Sequence, residues 1–380
     1  MLEAISRAQT RIELETYIFG NDPVGRQFLQ ALARAAGSGV QVRVLIDAYG
    51  SLGLSASFFS PLTQAGGQVR FFNPLRFSRF GVRDHRKLLV CDEQTAFIGG
   101  ANIAKNYDGD GITAGWFDLV KRIDDAELAR QLSAEFDVLF TNAAFDKYPR
   151  PRLRALRRLR RSLPHEPRLF AVKPGRGADA FQRMLQADLA RAGAADFIVP
   201  YFLPPRRIRK LLLKVVKRGG RVRLILPSIC DVPLARAAAM VFYGRLLRRG
   251  VEIYEYQPQI LHAKLFLVDD KVYAGSANLD VRSFKLNYEL MLRFTDPASV
   301  NGAREILART LGHSQPVNVR EFCASQTTWR RWKNRWAHFL LIRIDPLVAL
   351  RQFQSLERCP PPRLKSDGED GHRTPPHHPV

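Results

Sequence analysis

His85-Arg-Lys87-Leu-Leu-Val-Cys-Asp92, running on through Phe97-Ile-Gly-Gly100-Ala-Asn102, is the stretch from which the rest of this chain is read. A second copy stands downstream as His262-Ala-Lys264-Leu-Phe-Leu-Val-Asp269, followed by Ala274-Gly-Ser276-Ala-Asn278. In both copies the Lys comes two residues after the His and the Asp seven after it, with an Asn at +17 in the first copy and +16 in the second. A lone His-x-Lys carries no information. The recurrence of the whole pattern does.

The apolar run 88–91, the polar triplet 92–94 and the apolar run 95–98 predict two strands joined by a tight turn. Residues two apart on a strand point the same way, so His85 and Lys87 share a face. The glycines after the second strand let the backbone turn and bring Asn102 back toward that face. His262, Lys264 and Asn278 repeat the construction. An imidazole, an ammonium and an amide side by side make a half-site for a phosphate, and two facing half-sites enclose a phosphodiester.

Outward from the motifs, the halves read alike. The first has a short helix at the start, a strand over 11–19, a helix over 27–36, a strand over 40–46, a helix over 58–65 and a strand over 68–72. The second has a strand over 196–202, a helix over 206–217, a strand over 221–226, a helix over 234–248 and a strand over 251–256, with Tyr201 against Tyr17. Such alternation predicts an α/β fold. The duplication, with His262 standing 177 residues after His85, predicts two similar α/β/α-layered lobes about a pseudo-two-fold axis, with the site between them. The boundaries follow: a first lobe over 1–147, a basic connection over 148–168, a second lobe over 169–312, a basic, Trp-rich amphipathic segment over 313–359, and a disordered tail over 360–380, rich in Pro, Gly, Asp and His. The connection reads either as a plain link between lobes or as an Arg-rich contact for lipid phosphates.

Fifty-nine Lys and Arg against 36 Asp and Glu give a net charge of +23. That balance favours a polyanion, either nucleic acid or an anionic membrane surface. The four cysteines are widely spaced, which suits neither a zinc site nor a disulfide framework and fits a reducing compartment. No apolar run reaches the length of a membrane-spanning helix and no signal-peptide pattern opens the chain, so any membrane contact is expected to be peripheral.

The chemistry follows from the residue types. Lys87, Lys264, Asn102 and Asn278 would neutralise and orient phosphate oxygens, each such donor contributing about 3–4 kcal/mol in a transition state. No Asp/Glu/His cluster has metal-ligand spacing, so neither a metal nor a cofactor is expected. One histidine must attack phosphorus as a neutral base and the other must protonate the departing alcohol; the near-symmetric halves leave their order open. Each histidine also needs a carboxylate on its far nitrogen. Asp118 and Glu289 occupy matching places after the two motifs and are assigned within their own halves, Asp118 to His85 and Glu289 to His262. Asp92 and Asp269, at the strand turns, are expected to bond backbone amides, although they belong to the repeated pattern.

The duplicated motif is the signature of the phospholipase D superfamily, which the chain resembles over roughly residues 1–300. Thr16-Tyr-Ile-Phe19, Ile46-Asp-Ala-Tyr-Gly-Ser51 and the C-terminal Trp/Arg segment are most similar to the bacterial cardiolipin synthases. The resemblance implies His85 as nucleophile and His262 as acid and then base, a phosphatidyl-histidine intermediate, and synthesis of cardiolipin from two phosphatidylglycerol molecules with release of glycerol. It also implies a peripheral position on the cytoplasmic face of the bacterial cell membrane, with anionic phospholipid rather than nucleic acid as partner. The alternatives are a hydrolase or nuclease of the same superfamily, or a non-catalytic basic membrane-binding protein. The second of these fits poorly with two complete motifs.

Over 329–342, helical spacing places Trp329, Trp332, Trp336, Phe339 and Leu340 on one side, away from Arg330, Arg331 and Arg335, with Lys333 near the edge. That pattern describes a helix lying in a membrane interface, with Pro346 as its stop, or one packed by its aromatic side onto the second lobe.

Overall fold

The computed structural model describes residues 1–74, 81–143, 168–175 and 180–344. Nearly all of the basic connection, the stop at Pro346 and the tail over 360–380 lie outside the described residues.

Six strands build the first sheet: β1 (Arg11–Thr16), β2 (Gln41–Asp47), β3 (Gln68–Phe72), β4 (Leu88–Cys91), β5 (Thr95–Gly99) and β6 (Val120–Ile123). Their spatial order is β3-β2-β1-β4-β5-β6. The first three are parallel because helical crossovers join them, and β4, β5 and β6 run antiparallel through a hairpin and a longer return. The helix Pro23–Gly37 starts earlier than the periodicity alone suggests. Pro23 begins its first turn, and the Asp22 carboxylate caps it by accepting from Gly25 N at 3.0 Å. Its buried face, Phe28, Leu29, Leu32 and Ala36, packs on Ile12, Val42 and Val44. Truncating the fully buried Leu32 to Ala costs about 2–5 kcal/mol. The helix expected over 58–65 is split into a 3-10 turn, Ala56–Phe59, and a short α-helix, Ser60–Gln64.

The second half supplies β7 (Leu169–Val172), β8 (Ala194–Ile198), β9 (Phe202–Leu203), β10 (Arg221–Pro227), β11 (Glu252–Tyr256), β12 (Leu265–Val268), β13 (Lys271–Gly275), β14 (Leu279–Asp280), β15 (Glu289–Phe294) and β16 (Ser314–Pro316). Eight of these form one sheet in the order β16-β11-β10-β8-β12-β13-β15-β7, and β9 pairs with β14 apart from it. The run β11-β10-β8-β12-β13-β15 repeats the order of the first sheet strand for strand, which makes the chain a two-lobed α/β fold with pseudo-two-fold symmetry.

Each lobe has its own outer core beneath its crossover helices. The two cores between the lobes are shared. Tyr288, Leu290 and Leu292 of β15 and its lead-in pack with Leu88, Val90, Phe136 and Leu139 of the first lobe. Phe117 reaches the other way, into Tyr256, Leu261 and Leu265.

Candidate active site

His85 and Lys87 lie in the segment leading into β4 rather than on the strand itself, and His262 and Lys264 hold the same place before β12. Each lead-in is fixed by backbone from the opposite lobe. His85 N donates to Tyr288 O at 3.0 Å and Tyr288 N to Arg83 O at 2.9 Å. In the mirror contact, His262 N donates to Phe117 O at 2.8 Å and Phe117 N to Ile260 O at 2.9 Å. Tyr288 and Phe117 immediately precede the two carboxylates in sequence. The crossing therefore delivers each carboxylate to the far lobe's histidine.

This corrects the pairing drawn from sequence. Glu289, not Asp118, bonds His85: both its oxygens lie 3.0 Å from His85 Nδ1. Asp118, not Glu289, bonds His262, with Oδ2 2.6 Å from Nδ1. Each carboxylate is seated by its own lobe and aimed at the other. Ser276 Oγ and Asn287 Nδ2 donate to Glu289. In the first lobe the position of Ser276 is Gly100, where a Cβ would come within 2.2 Å of Asp118 Oδ1, so only glycine leaves room for that carboxylate.

Both histidines and both asparagines line one cavity of about 320 Å³. Lys87 and Lys264 stand behind its wall, 4% and 1% exposed. Lys87 Nζ donates to His85 O at 2.7 Å and sits 5.3 Å from the centre of the Tyr17 ring. Lys264 Nζ donates to His262 O and lies 2.8 Å from His262 Nδ1. Asn102 is oriented by Ile18 N, which donates to its Oδ1 at 3.0 Å, and by its own bond to Tyr107 Oη at 2.7 Å. Asp92 and Asp269 stay at the far ends of their hairpins. Asp92 accepts from the amides of Gln9, Thr10 and Arg11, and Asp269 from those of Gly193 and Ala194. They clamp the hairpins to the starts of the neighbouring strands β1 and β8 and do not line the cavity.

Burial governs the titration of the site. It pushes Lys87 down to about 7 and Glu289 up to about 7. His85 is held well below its usual value, first by burial and then by the positive charges of Lys87, Lys264, His262 and Arg282. His262 is also lowered by burial and by Lys264, but Asp118 and Asp231 pull it back up. The two imidazoles are thus alike in position and unlike in readiness to hold a proton.

The family model for the cardiolipin synthase, PLD-like domain, matches residues 1–140 and 186–311. The chain belongs to this family. A probable cardiolipin synthase of Bacillus subtilis (strain 168) is 30% identical over 316 residues, which span 79% of this chain and 61% of that relative. Cardiolipin synthase B of Salmonella typhi is 31% identical over 373 residues, 95% of this chain and 90% of the relative. Among solved structures, a phosphatidylserine synthase of Haemophilus influenzae Rd KW20 shares the fold, with a TM-score of 0.69 over 92% of each chain at 20% identity. The chain is a phospholipase D superfamily enzyme of the phosphatidyltransferase kind.

In this member of the cardiolipin synthase family, several cavity residues have no signal in the motifs. Tyr107 and Trp116 pack at 5.4 Å and 5.6 Å from the His262 ring, and Tyr17 at 5.1 Å from the His85 ring. Arg83, Arg282 and Asp231 also line the wall. The repeat pairs Tyr17 with Tyr201, and nearness to the motifs in sequence is the signal for Arg83 and Arg282. Further residues of the lining, Leu203, Val232, Ala235, Leu341 and Ile342, make one side apolar.

Leu341 and Ile342 arrive there from the helix Thr328–Phe339. That helix rests on the helix Pro233–Leu247 through Asn334, Ala337 and His338, the last 5.2 Å from the Phe242 ring. Its aromatic residues face outward as a ladder: Trp329 stacks on Trp332 at 5.0 Å, Trp332 meets Trp336 at 5.8 Å, and Trp336 meets Phe339 at 5.9 Å. All four are exposed, as are Arg330, Arg331 and Arg335. No helix among the described residues is long and apolar enough to cross a membrane.

Proposed function

We propose that this enzyme makes cardiolipin from two phosphatidylglycerol molecules, releasing glycerol, by way of a phosphatidyl-histidine. The observation that carries the reading is the pair of histidine–carboxylate couples facing one cavity, each completed across the lobe boundary. His85 gives its Nδ1 proton to the bond with Glu289, which leaves the Nε2 lone pair for phosphorus. As the P–Nε2 bond forms, the P–O bond to glycerol breaks, and His262 donates a proton to the departing oxygen. A second phosphatidylglycerol then enters. Its primary hydroxyl passes a proton to His262, its oxygen bonds phosphorus, and the P–N bond breaks with its electron pair returning to His85. One phosphodiester replaces another. Asn102 and Asn278 face the phosphate oxygens, and the charges of Lys87 and Lys264 just behind the wall offset theirs throughout. Asp92 and Asp269 contribute by fixing the hairpins.

The apolar side of the cavity suits diacylglycerol better than a nucleotide, which supports lipid over nucleic acid as partner. The exposed Trp ladder and its arginines support a peripheral seat on anionic phospholipid at the cytoplasmic face of the bacterial membrane. The test is incubation of the purified protein with phosphatidylglycerol vesicles, read by lipid mass spectrometry and a glycerol assay. Cardiolipin and glycerol in equal amounts are expected. Phosphatidic acid alone would make the protein a hydrolase, and nicking of DNA without lipid turnover a nuclease.

A further inference from the structure

Resting on that reading of the cavity, we propose that Asp231, held by Tyr201, is the subsite for the free hydroxyls of the glycerol headgroup as it leaves or enters beside His262. The motifs are duplicated, but this carboxylate is not. Counted from the first residues of the matched strands β2 and β10, Asp231 falls where the first lobe has Ser51. Ser51 is buried and spent on backbone, accepting from Phe19 N at 2.9 Å and donating to Tyr17 O at 3.2 Å. Asp231 lines the cavity instead. Its Oδ2 accepts from Tyr201 Oη at 2.5 Å and its Oδ1 meets Cys230 Sγ at 3.5 Å. It forms no ion pair with any described residue, so nothing cationic occupies its remaining acceptor capacity.

Its position relative to the chemistry gives that capacity a use. The Tyr201 ring stands edge-on to His262, with centroids 6.4 Å apart. Arg83 and Arg282 carry positive charge toward the His85 side of the cavity: Arg83, on the segment approaching His85, reaches Asp47 with Nη1 at 3.4 Å, and Arg282, on the helix Val281–Lys285, donates from Nη2 to Gly81 O of that segment at 2.9 Å. An anionic phosphate is drawn toward the cationic side and away from a carboxylate. A polyol is not: its hydroxyls are donors, and a carboxylate accepts them. In-line displacement at phosphorus places the departing and the entering alcohol opposite His85, hence beside His262 and within the reach of Asp231. Asp231 takes no proton in the step. The attacking hydroxyl gives its proton to His262, and Asp231 binds the neighbouring hydroxyl and so sets which alcohol is poised to attack.

The prediction is one of selectivity. Phosphatidylglycerol vesicles serve as donor, with deuterated glycerol and 1-propanol competing as acceptors, and labelled phosphatidylglycerol is measured against phosphatidylpropanol. The ratio does not depend on how much enzyme is folded. In Asp231→Asn it is expected to fall roughly tenfold or more in favour of 1-propanol, as when a charged hydrogen-bond partner is lost. In Tyr201→Phe, which only loosens the carboxylate, it should fall by less. An unchanged ratio in Asp231→Asn overturns the assignment. So does a loss confined to ethanolamine as acceptor, because the carboxylate would then be reading an ammonium. Wild-type enzyme that makes phosphatidylpropanol but no cardiolipin refutes the proposed function while leaving this ratio readable; no transfer to any alcohol removes both.

Discussion

The two lobes each present a His and an Asn to the cavity, with a Lys behind the wall, and surround them differently. In the first, the histidine is backed by the longer Glu289, bedded on Ser276 and Asn287, while burial and the cationic Lys87, Lys264 and Arg282 disfavour its protonation. In the second, the histidine is backed by the shorter Asp118 over Gly100, with Asp231 adding negative charge on the same side. Duplication supplied a symmetric cradle for a symmetric phosphate. The proposed transfer needs one imidazole empty and one loaded; both are lowered by burial, and Asp118 and Asp231 offset part of that lowering at His262.

The largest test removes the symmetric part. His85→Ala and His262→Ala should each lower turnover by about ten-thousand-fold or more, and the double mutant should be little worse, because coupled catalytic groups are not additive. Either single mutant near wild-type activity breaks the two-half-site description. The carboxylates sharpen it. Glu289→Gln and Asp118→Asn should each cost on the order of a thousandfold or more, but at different stages. With a donor whose leaving group needs no protonation, Glu289→Gln should slow the appearance of phosphohistidine on His85, whereas Asp118→Asn should let it form and persist. The reverse result would mean that the crossed bonds do not set the roles.

The second comparison is between the docked and the exposed faces of the helix Thr328–Phe339. Replacing Arg330, Arg331 and Arg335 together with Glu should weaken binding to anionic vesicles on the order of a hundredfold, each basic residue being worth about 1 kcal/mol. The melting temperature should hardly move, since these side chains are exposed. Lost stability with unchanged binding would assign the helix to the fold alone.

Smaller effects follow from burial. In the proposed mechanism Lys87 must be charged to offset the phosphate, and burial sets its loss of a proton at about 7. Glu289 must be charged to orient His85, and burial sets its gain of a proton at about 7. Activity should therefore fall on both sides of neutrality, with kcat/KM giving a narrow bell whose apparent pKa values belong to the coupled set. Lys87→Arg, which cannot deprotonate in this range, should move the alkaline limb upward even at reduced rate. A flat profile from pH 6 to 9 would contradict this. Smallest of all, excess EDTA should leave turnover essentially unchanged, because the charge work is assigned to lysines and amides; a loss restored by one divalent ion would sink that assignment.

Much of this was legible in the chain. The hairpins, the repeat and the alternation of strands and helices follow from apolar runs and turn residues. The capped start of the helix at Pro23 was also present, in Asp22-Pro23, though periodicity alone missed it. The crossed carboxylates were not legible. They depend on Phe117 and Tyr288 pairing by backbone with the opposite lobe's lead-in, a contact between residues more than a hundred positions apart that no local pattern encodes. Helical spacing likewise gathered the tryptophans on one side. Which side turned outward was decided by close packing on the helix Pro233–Leu247, which buries Asn334 and Ala337 and leaves the ladder uncovered.

The crossing has a consequence in time. A chain leaving the ribosome exposes His85 long before Glu289 is made, and the first lobe, even if folded, lacks both its base-setting carboxylate and the Tyr288 backbone that fixes the histidine's approach. The second lobe in turn needs Asp118 from the first. No product of synthesis that ends before Glu289 holds the His85 couple, so both couples are complete only when the second lobe has been made and has closed on the first.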